Sequence, residues 1–498
     1  MHILYAASEM VPFVKTGGLA DVAGALPAAL AARGHRVTAV LPLYDGVNRA
    51  GLEPGEEFMV PVGTWQVAAR PWRSRQKWGD VYLVEQSDYF ARPHLYGPPG
   101  GEYADNPERF AFFSRAILAL CRELRLAPDV LHVNDWQTAL VPVYLREPDD
   151  GDGLEQSASV LTIHNLAFQG RFDVTAVNVL GLPPRVLGID GLEYYGDMNY
   201  LKGGILYADQ VTTVSPTYAR EILEPQNGCG LDGVLRARSA DLSGIENGID
   251  TELWNPASDP HLAAPFSAAR PEGRRANRRL VQRTLGLEEA DAPLLGFVGR
   301  VTGQKGLDIV LDAMPALLDL GVQLALLGDG DPLLTRRLVE AARFRPGRVG
   351  VATGFDEPLA RNIYGGSDLF LMPSRFEPCG LAQLIAMRYG APPVVHRVGG
   401  LADTVVAWND NPDSATGFAF DRPDTAALLA AVAGALEVWK EHKLFARIQR
   451  NGMQRDSSWQ ARASACEAVY EKALEARRTR KIGGALKQAA SPRPHGRG

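Results

Sequence analysis

The feature that most constrains this chain is an alternation that runs through it twice. Short apolar runs, each long enough for one strand, are followed by segments whose apolar residues recur every three or four positions, as on one face of a helix. Residues 2–7, 37–42, 130–134, 160–164 and 210–215 read as strands in the first half. Residues 294–298, 323–327, 349–351, 368–372 and 393–395 do so in the second. Residues 110–124 and 332–344 read as helices, and further helices open at Gly306 and Gly380. Strands alternating with helices require parallel pairing through helical crossovers. The fold class is therefore α/β, with helices on both faces of each sheet and ligands collecting at the carboxyl ends of the strands.

At 498 residues the chain exceeds the roughly 250–300 residues that one core sustains. A connection rich in Pro, Ala and Arg over 255–290 separates the two alternating sets. The expected division is 1–245 and 246–455, two doubly wound domains facing each other across a deep cleft. Residues 477–498 carry seven Lys/Arg and no Asp or Glu, and read as a disordered basic tail.

A formal net charge of −6 gives no reason to expect nucleic acid or an anionic membrane as partner. Cys121, Cys229, Cys379 and Cys466 are far apart and show no metal-ligand spacing, which favours a reducing compartment. Residues 1–14 lack a signal-peptide pattern, and no apolar run reaches the roughly 18 residues of a membrane span. The expectation is a cytoplasmic protein.

Four glycine-bearing loops each follow a strand and open a helix. In Lys15-Thr-Gly-Gly-Leu-Ala-Asp21 the helix stripe is Leu19, Val22, Leu26 and Leu30, and Pro27 inside it should kink the helix. Unpaired N–H groups at a helix start attract anions. Gly17 and Gly18 beside Lys15 thus read as a phosphate cradle, or equally as a tight turn needing φ > 0 with a solvated lysine. Neither the Walker pattern nor the dinucleotide fingerprint is present. The second loop, Gly299-Arg300-Val-Thr-Gly-Gln-Lys305-Gly306, flanks its glycines with two cations suited to phosphate oxygens. The plain alternative for Arg300 and Lys305 is a solvated helix start. Paired with the Lys15 loop across a cleft, it makes a diphosphate clamp that closes over its ligand. In Pro373-Ser-Arg-Phe-Glu377-Pro-Cys379-Gly380-Leu381, Glu377 is suited to accept hydrogen bonds from sugar hydroxyls, or simply to complement a helix dipole. Gly399-Gly400 echoes Gly17-Gly18.

In the first domain, consecutive strand ends carry His132-Val-Asn-Asp135-Trp136 and His164-Asn165-Leu-Ala-Phe168. Trp136 and Phe168 read as flat surfaces for stacking on sugar rings. Asn247-Gly248 is a turn near the crossing between domains. Asp150-x-Asp152 and Asp329-x-Asp331 are the candidate metal pairs. Both sit in Gly-rich turns, so no metal is expected.

Taken together, the Lys15 loop, His-Val-Asn-Asp135-Trp, Thr-Ile-His164-Asn, Val214-Ser-Pro-Thr-Tyr-Ala-Arg-Glu, Glu-Asn247-Gly-Ile-Asp, Gln-Lys305-Gly-Leu-Asp and Pro-Ser-Arg-Phe-Glu377-Pro-Cys-Gly-Leu resemble bacterial glycogen synthases and plant starch synthases. The match runs in order from residue 1 to about 476. It implies the GT-B fold, with a helix over 456–476 returning to the first domain. It also implies transfer of glucose from ADP-glucose to the non-reducing end of an α-1,4-glucan with retention of configuration. ADP-glucose is then substrate and no cofactor is needed. By the same resemblance, Lys15, Gly17, Gly18 and Asp21 belong to the diphosphate site, and Arg300 and Lys305 stabilise departing ADP. Glu377 binds the donor sugar, with Cys379, Gly380 and Leu381 alongside. Asp135, His164, Trp136, Asn165 and Asn247 line the glucose and acceptor sites. Gly354 belongs to the adenine side, and Gly399 and Gly400 to substrate binding. The wider glycosyltransferase pattern has a second glutamate where this chain has Ile385, a gap the glycogen synthase group shares. The alternatives are a relative using UDP-glucose or another acceptor, and a catalytically silent glucan-binding protein. Oligomeric state stays open.

Overall fold

A computed structural model describes residues 1–98, 100–147 and 153–490. The acidic loop at 149–152 and the end of the basic tail, 491–498, lie outside the described residues. The chain folds as two compact units. The first comprises 1–214, 219–245 and 462–498, and the second comprises 215–218 and 246–461.

Among the described residues, the first unit is built on a ten-stranded sheet. From one edge its parallel part runs Leu242–Gly244, Gln210–Thr213, Ala158–Ile163, Val130–Asn134, His2–Ala6, Arg36–Pro42, Gly79–Glu85. Trp65–Gln76 then pairs antiparallel with Gly79–Glu85, and Glu53–Pro54 and Phe58–Val62 pair antiparallel with Trp65–Gln76. This antiparallel extension has no clear alternation in the sequence and is not among the expected strands. The central strand His2–Ala6 is buried throughout, as a strand covered on both faces must be. The strand order reverses between His2–Ala6 and Val130–Asn134, and such reversals open a crevice at the carboxyl ends.

The helix Gly18–Ala32 buries Leu19, Val22, Leu26 and Leu30 and carries Pro27 inside it. The helix Asn106–Glu123 is buried along nearly its whole length, including Phe110, Phe112 and Phe113. A final helix, Trp459–Ala490, runs back onto this unit. Its Ala463, Cys466, Tyr470 and Ala473 are buried at spacings of three and four. Glu467 accepts from Arg33 and lies 2.7 Å from His35, and Arg480 pairs with the buried Asp209 at 3.4 Å. The expected disordered tail is corrected over 477–490. No proline interrupts residues 459–490, and the helix continues through Gly483 and Gly484.

The second unit holds a six-stranded parallel sheet among the described residues, in the order Val349–Ala352, Gln323–Leu327, Leu294–Val298, Leu369–Met372, Pro393–His396, Phe418–Phe420. Alternate residues point to opposite faces. Leu324 and Leu326 enter one apolar cluster, Ala325 and Leu327 the other. The order reverses between Leu294–Val298 and Leu369–Met372, the two strands that end at the Arg300–Lys305 and Glu377 loops. No helix among the described residues is long and apolar enough to cross a membrane.

Candidate functional site

Each unit gathers polar groups at the reversal of its own sheet. In the second, the loop after Leu294–Val298 bends through Gly306 at φ +69° before the helix Leu307–Asp319. A Cβ at Gly306 would lie 2.1 Å from the Pro373 carbonyl oxygen, so this glycine is required on both counts. The close approach brings Lys305 Nζ to 2.6 Å from Glu377 Oε2, with the two side chains 19% and 6% exposed. Ser374 Oγ donates to the same carboxylate oxygen at 2.9 Å, and the Ser374 carbonyl oxygen lies 2.8 Å from His396 Nδ1. Arg375 clamps the loops together: it donates to both Asp308 carboxylate oxygens and to the Gly303 carbonyl. Arg300 is exposed, and no ion pair holds it among the described residues.

Gly380 turns the chain at φ +75°, and Leu381 caps the helix Ala382–Arg388. Cys379 is 3% exposed; burial pushes its thiol up to about 12, although the Asn247 backbone N–H is directed at it. Asn247 is itself buried. Ile385, at the place of the second glutamate, is part of the apolar core. Gly354 turns at φ +92° after Val349–Ala352, next to the exposed Phe355.

Gly399 and Gly400 require a correction. They are not free turn glycines, because their Cα sides are packed against another backbone. A Cβ at Gly399 would lie 2.0 Å from the Glu377 carbonyl oxygen, and one at Gly400 would lie 2.2 Å from the Cys379 carbonyl oxygen. The Gly400 N–H donates to the Glu377 carbonyl at 3.1 Å. These glycines let one backbone pack against another and so hold the Glu377 loop. Asp329 and Asp331, the candidate metal pair, accept from backbone N–H groups, Asp331 as the cap of the helix Pro332–Phe344.

In the first unit, three neighbouring strands deliver Glu9, Asp135 and His164. Asp135 stands at φ 55° and ψ −174°, a region that costs a non-glycine residue about 1–3 kcal/mol. Its N–H donates to the Thr162 carbonyl at 2.9 Å, and its carboxylate accepts the His164 N–H at 2.7 Å. Burial pushes the Asp135 carboxyl up to about 7, opposed by the His164 and Asn165 N–H groups. His164 Nε2 lies 2.9 Å from Asn134 Oδ1, and burial holds the imidazole down at about 3, hence neutral. Asn165 Oδ1 accepts from the Ala167 N–H.

The Lys15 loop differs from the expected cradle. Glu9, 4% exposed, accepts the Thr16 N–H at 2.5 Å, the Gly17 N–H at 3.1 Å and the Thr16 hydroxyl. A carboxylate of the chain thus fills part of the anion position. Lys15 pairs with Asp21 at 2.7 Å. Gly17 is extended, at φ −152°, and a Cβ there would meet nothing within 4 Å, so neither backbone shape nor crowding demands a glycine. Gly18 is the first helical residue. Nothing in the sequence singles out Glu9 except its place just beyond a buried strand.

Trp136 also needs correction as a stacking surface. It is 5% exposed, lies edge-on to Phe110 and Phe172, and its indole would block any Cβ at Gly170. Phe168, by contrast, is 49% exposed.

With this geometry in hand, two family models match the chain: the starch synthase catalytic domain over residues 2–237 and the group 1 glycosyl transferases over 292–437. A glycogen synthase of Syntrophotalea carbinolica is 48% identical over 480 residues, covering 95% of this chain and 99% of that protein. Glycogen synthase 2 of Geobacter sulfurreducens is 46% identical, covering 96% and 100%. The catalytic domain of starch synthase IV from Arabidopsis thaliana, solved bound to ADP and acarbose, superimposes with a TM-score of 0.89 at 32% identity, covering 95% of this chain and 99% of that one.

Proposed function

Because this chain belongs to the family of bacterial glycogen synthases and plant starch synthases and shares its GT-B fold, we propose that it elongates an α-1,4-glucan with glucose from ADP-glucose, retaining the α configuration. The observation that carries this reading is the Lys305–Glu377 pair, a largely buried cation and carboxylate at the reversal of a parallel sheet. In the reaction Lys305 and Arg300 take the negative charge that builds on the departing diphosphate, the kind of electrostatic stabilisation that supplies most of the acceleration in such sites. Glu377 accepts hydrogen bonds from the donor sugar, with the backbone of Cys379, Gly380 and Leu381 beside it. Gly17, unobstructed at Cβ, leaves room for phosphate oxygens near Lys15, with Gly18 beside it at the helix start. Asp135, His164, Asn165 and Asn247 serve the transferred glucose and the acceptor, and Gly354 serves the adenine. No carboxylate is assigned as a covalent nucleophile. The glucosyl group passes to the acceptor hydroxyl on the face that ADP leaves, and the acceptor proton goes with the departing diphosphate. The charge on the phosphates is met by protein cations, with no metal or cofactor, in the cytoplasm.

Steady-state rates with ADP-glucose and UDP-glucose on a maltodextrin primer test the proposal. ADP-glucose should be the better donor. A tenfold preference for UDP-glucose would overturn the donor assignment. No transfer from either sugar would leave only a glucan-binding role.

A further inference from the structure

We propose that Asn134 is a positioning residue that sets the tautomer of His164: its side-chain oxygen holds the imidazole with its proton on Nε2, leaving Nδ1 as the ring's acceptor. The inference rests on the reading that His164 serves the transferred glucose.

Asn134 is the last residue of Val130–Asn134 and is wholly buried. Its Nδ2 donates to the Ala6 carbonyl oxygen at 2.9 Å. A carbonyl oxygen can only accept, so the amide must present its nitrogen to Ala6 and its oxygen to the other side. The flipped amide would set two oxygens against each other in a site without solvent. Oδ1 then accepts the Tyr5 hydroxyl at 3.0 Å and faces His164 Nε2 at 2.9 Å. Since an amide oxygen has no proton to give, Nε2 must carry one. Burial keeps the ring neutral at physiological pH, so Nδ1 is unprotonated. The backbone of the same histidine is fixed by the Asp135 carboxylate, which accepts its N–H at 2.7 Å. Ring and backbone are thus held by two consecutive residues, Asn134 and Asp135, at the end of one neighbouring strand. The nearby His132 is committed elsewhere, with Nδ1 at 2.8 Å from the Tyr470 hydroxyl and Nε2 at 2.7 Å from Thr162 Oγ1.

The chemical consequence is definite. A neutral imidazole that offers Nδ1 accepts a hydrogen bond from a sugar hydroxyl and gives no proton to the departing diphosphate. An orienting partner that fixes a tautomer has a large influence on rate even though it never touches the substrate.

The test uses the full chain labelled with 15N-histidine, with the His164 signals identified by their loss in His164→Ala. In the unaltered protein Nε2 should give the protonated type of signal and Nδ1 the unprotonated type. Asn134→Ala should produce a mixture of tautomers and lower kcat by about tenfold or more, with the donor KM changed by less than about twofold. Asn134→Asp places a buried carboxyl whose proton goes to the Ala6 carbonyl oxygen while its other oxygen stays opposite Nε2, so it should restore the Nε2–H form and part of kcat. Tyr5→Phe removes the other hydrogen bond to the same oxygen and should leave the tautomer unchanged. A proton on Nδ1 in the unaltered protein would overturn the proposal, and that spectrum decides even if Asn134→Ala fails to fold. So would an Asn134→Ala variant with one retained tautomer and an equal loss of rate. Full turnover in His164→Ala would instead remove the assigned role of His164, a result distinct from a wrong tautomer.

Discussion

Replacing Lys305 by methionine tests the pairing at the centre of the second unit. At the observed 2.6 Å, two unit charges attract by about 6 kcal/mol with an effective dielectric near 20. Most of that attraction offsets the withdrawal of both groups from water. Removing the cation alone leaves the Glu377 carboxylate, 5% exposed, with Ser374 as its side-chain partner. Breaking a buried pair from one side costs about 3–5 kcal/mol. The 19% exposure of the Lys305 side chain admits some solvent and puts the expectation at the lower end, about 3 kcal/mol. For a unit of this size that lowers Tm by about 6–12 °C. Glu377→Gln should act in the same direction. The double variant Lys305→Met/Glu377→Gln removes both charges and should regain most of the lost stability. Activity should behave differently. Each single variant should lower kcat/KM at least about a hundredfold, or roughly 2.7 kcal/mol of transition-state stabilisation, and the double variant should stay as low. Thermal unfolding and glucose incorporation into a primer read the two quantities separately. Recovery of wild-type turnover in the double variant would show that the pair serves the fold alone, and the catalytic argument would fail.

Three further outcomes follow from particular groups. The unfolded chain releases the Asp135 proton near pH 4, whereas the folded chain holds it to about 7, so this carboxyl lowers stability as pH rises through that window, by up to about 4 kcal/mol. Asp135→Asn should therefore gain Tm relative to the unaltered protein between pH 4 and 8; a constant difference across that range would refute the assignment. His132 and His164, both held near 3, act in the opposite sense, with stability falling as pH drops below about 6.5, and they cancel in that comparison. Iodoacetamide should label Cys229 in the native protein and spare the buried Cys121, Cys379 and Cys466, as mass spectrometry of digests would show. Gly306→Ala should lower Tm and activity together, because φ +69° and the Pro373 oxygen both oppose a side chain; unchanged melting would contradict the turn geometry.

How much of the site was legible depends on which signals are local. Arg300, Lys305 and Glu377 stand out because each follows an apolar strand and precedes a helix, a pattern visible within about ten residues. Glu9 has the same kind of position but no glycine or repeated motif beside it, and only the folded loop shows its carboxylate on the Thr16 and Gly17 N–H groups. The packing of Gly399-Gly400 was not legible, because a pair of glycines looks the same whether it faces a ligand or another backbone. Trp136 was misread because an aromatic ring at a strand end carries no mark of whether Phe110 and Phe172 will cover it.

The amino-acid sequence by itself determined two α/β units, most of the parallel strands on which each is built and the polar loops at their carboxyl ends, since those follow from hydrophobic period and turn chemistry between near neighbours. The tertiary structure alone decided which distant groups would meet: Lys305 with Glu377 across 72 positions, Asn134 with Tyr5 across 129, Tyr470 with His132 across 338. Those pairings depend on strand order and on the packing of whole elements, and no local pattern encodes a contact that exists only when the sheet has closed around it.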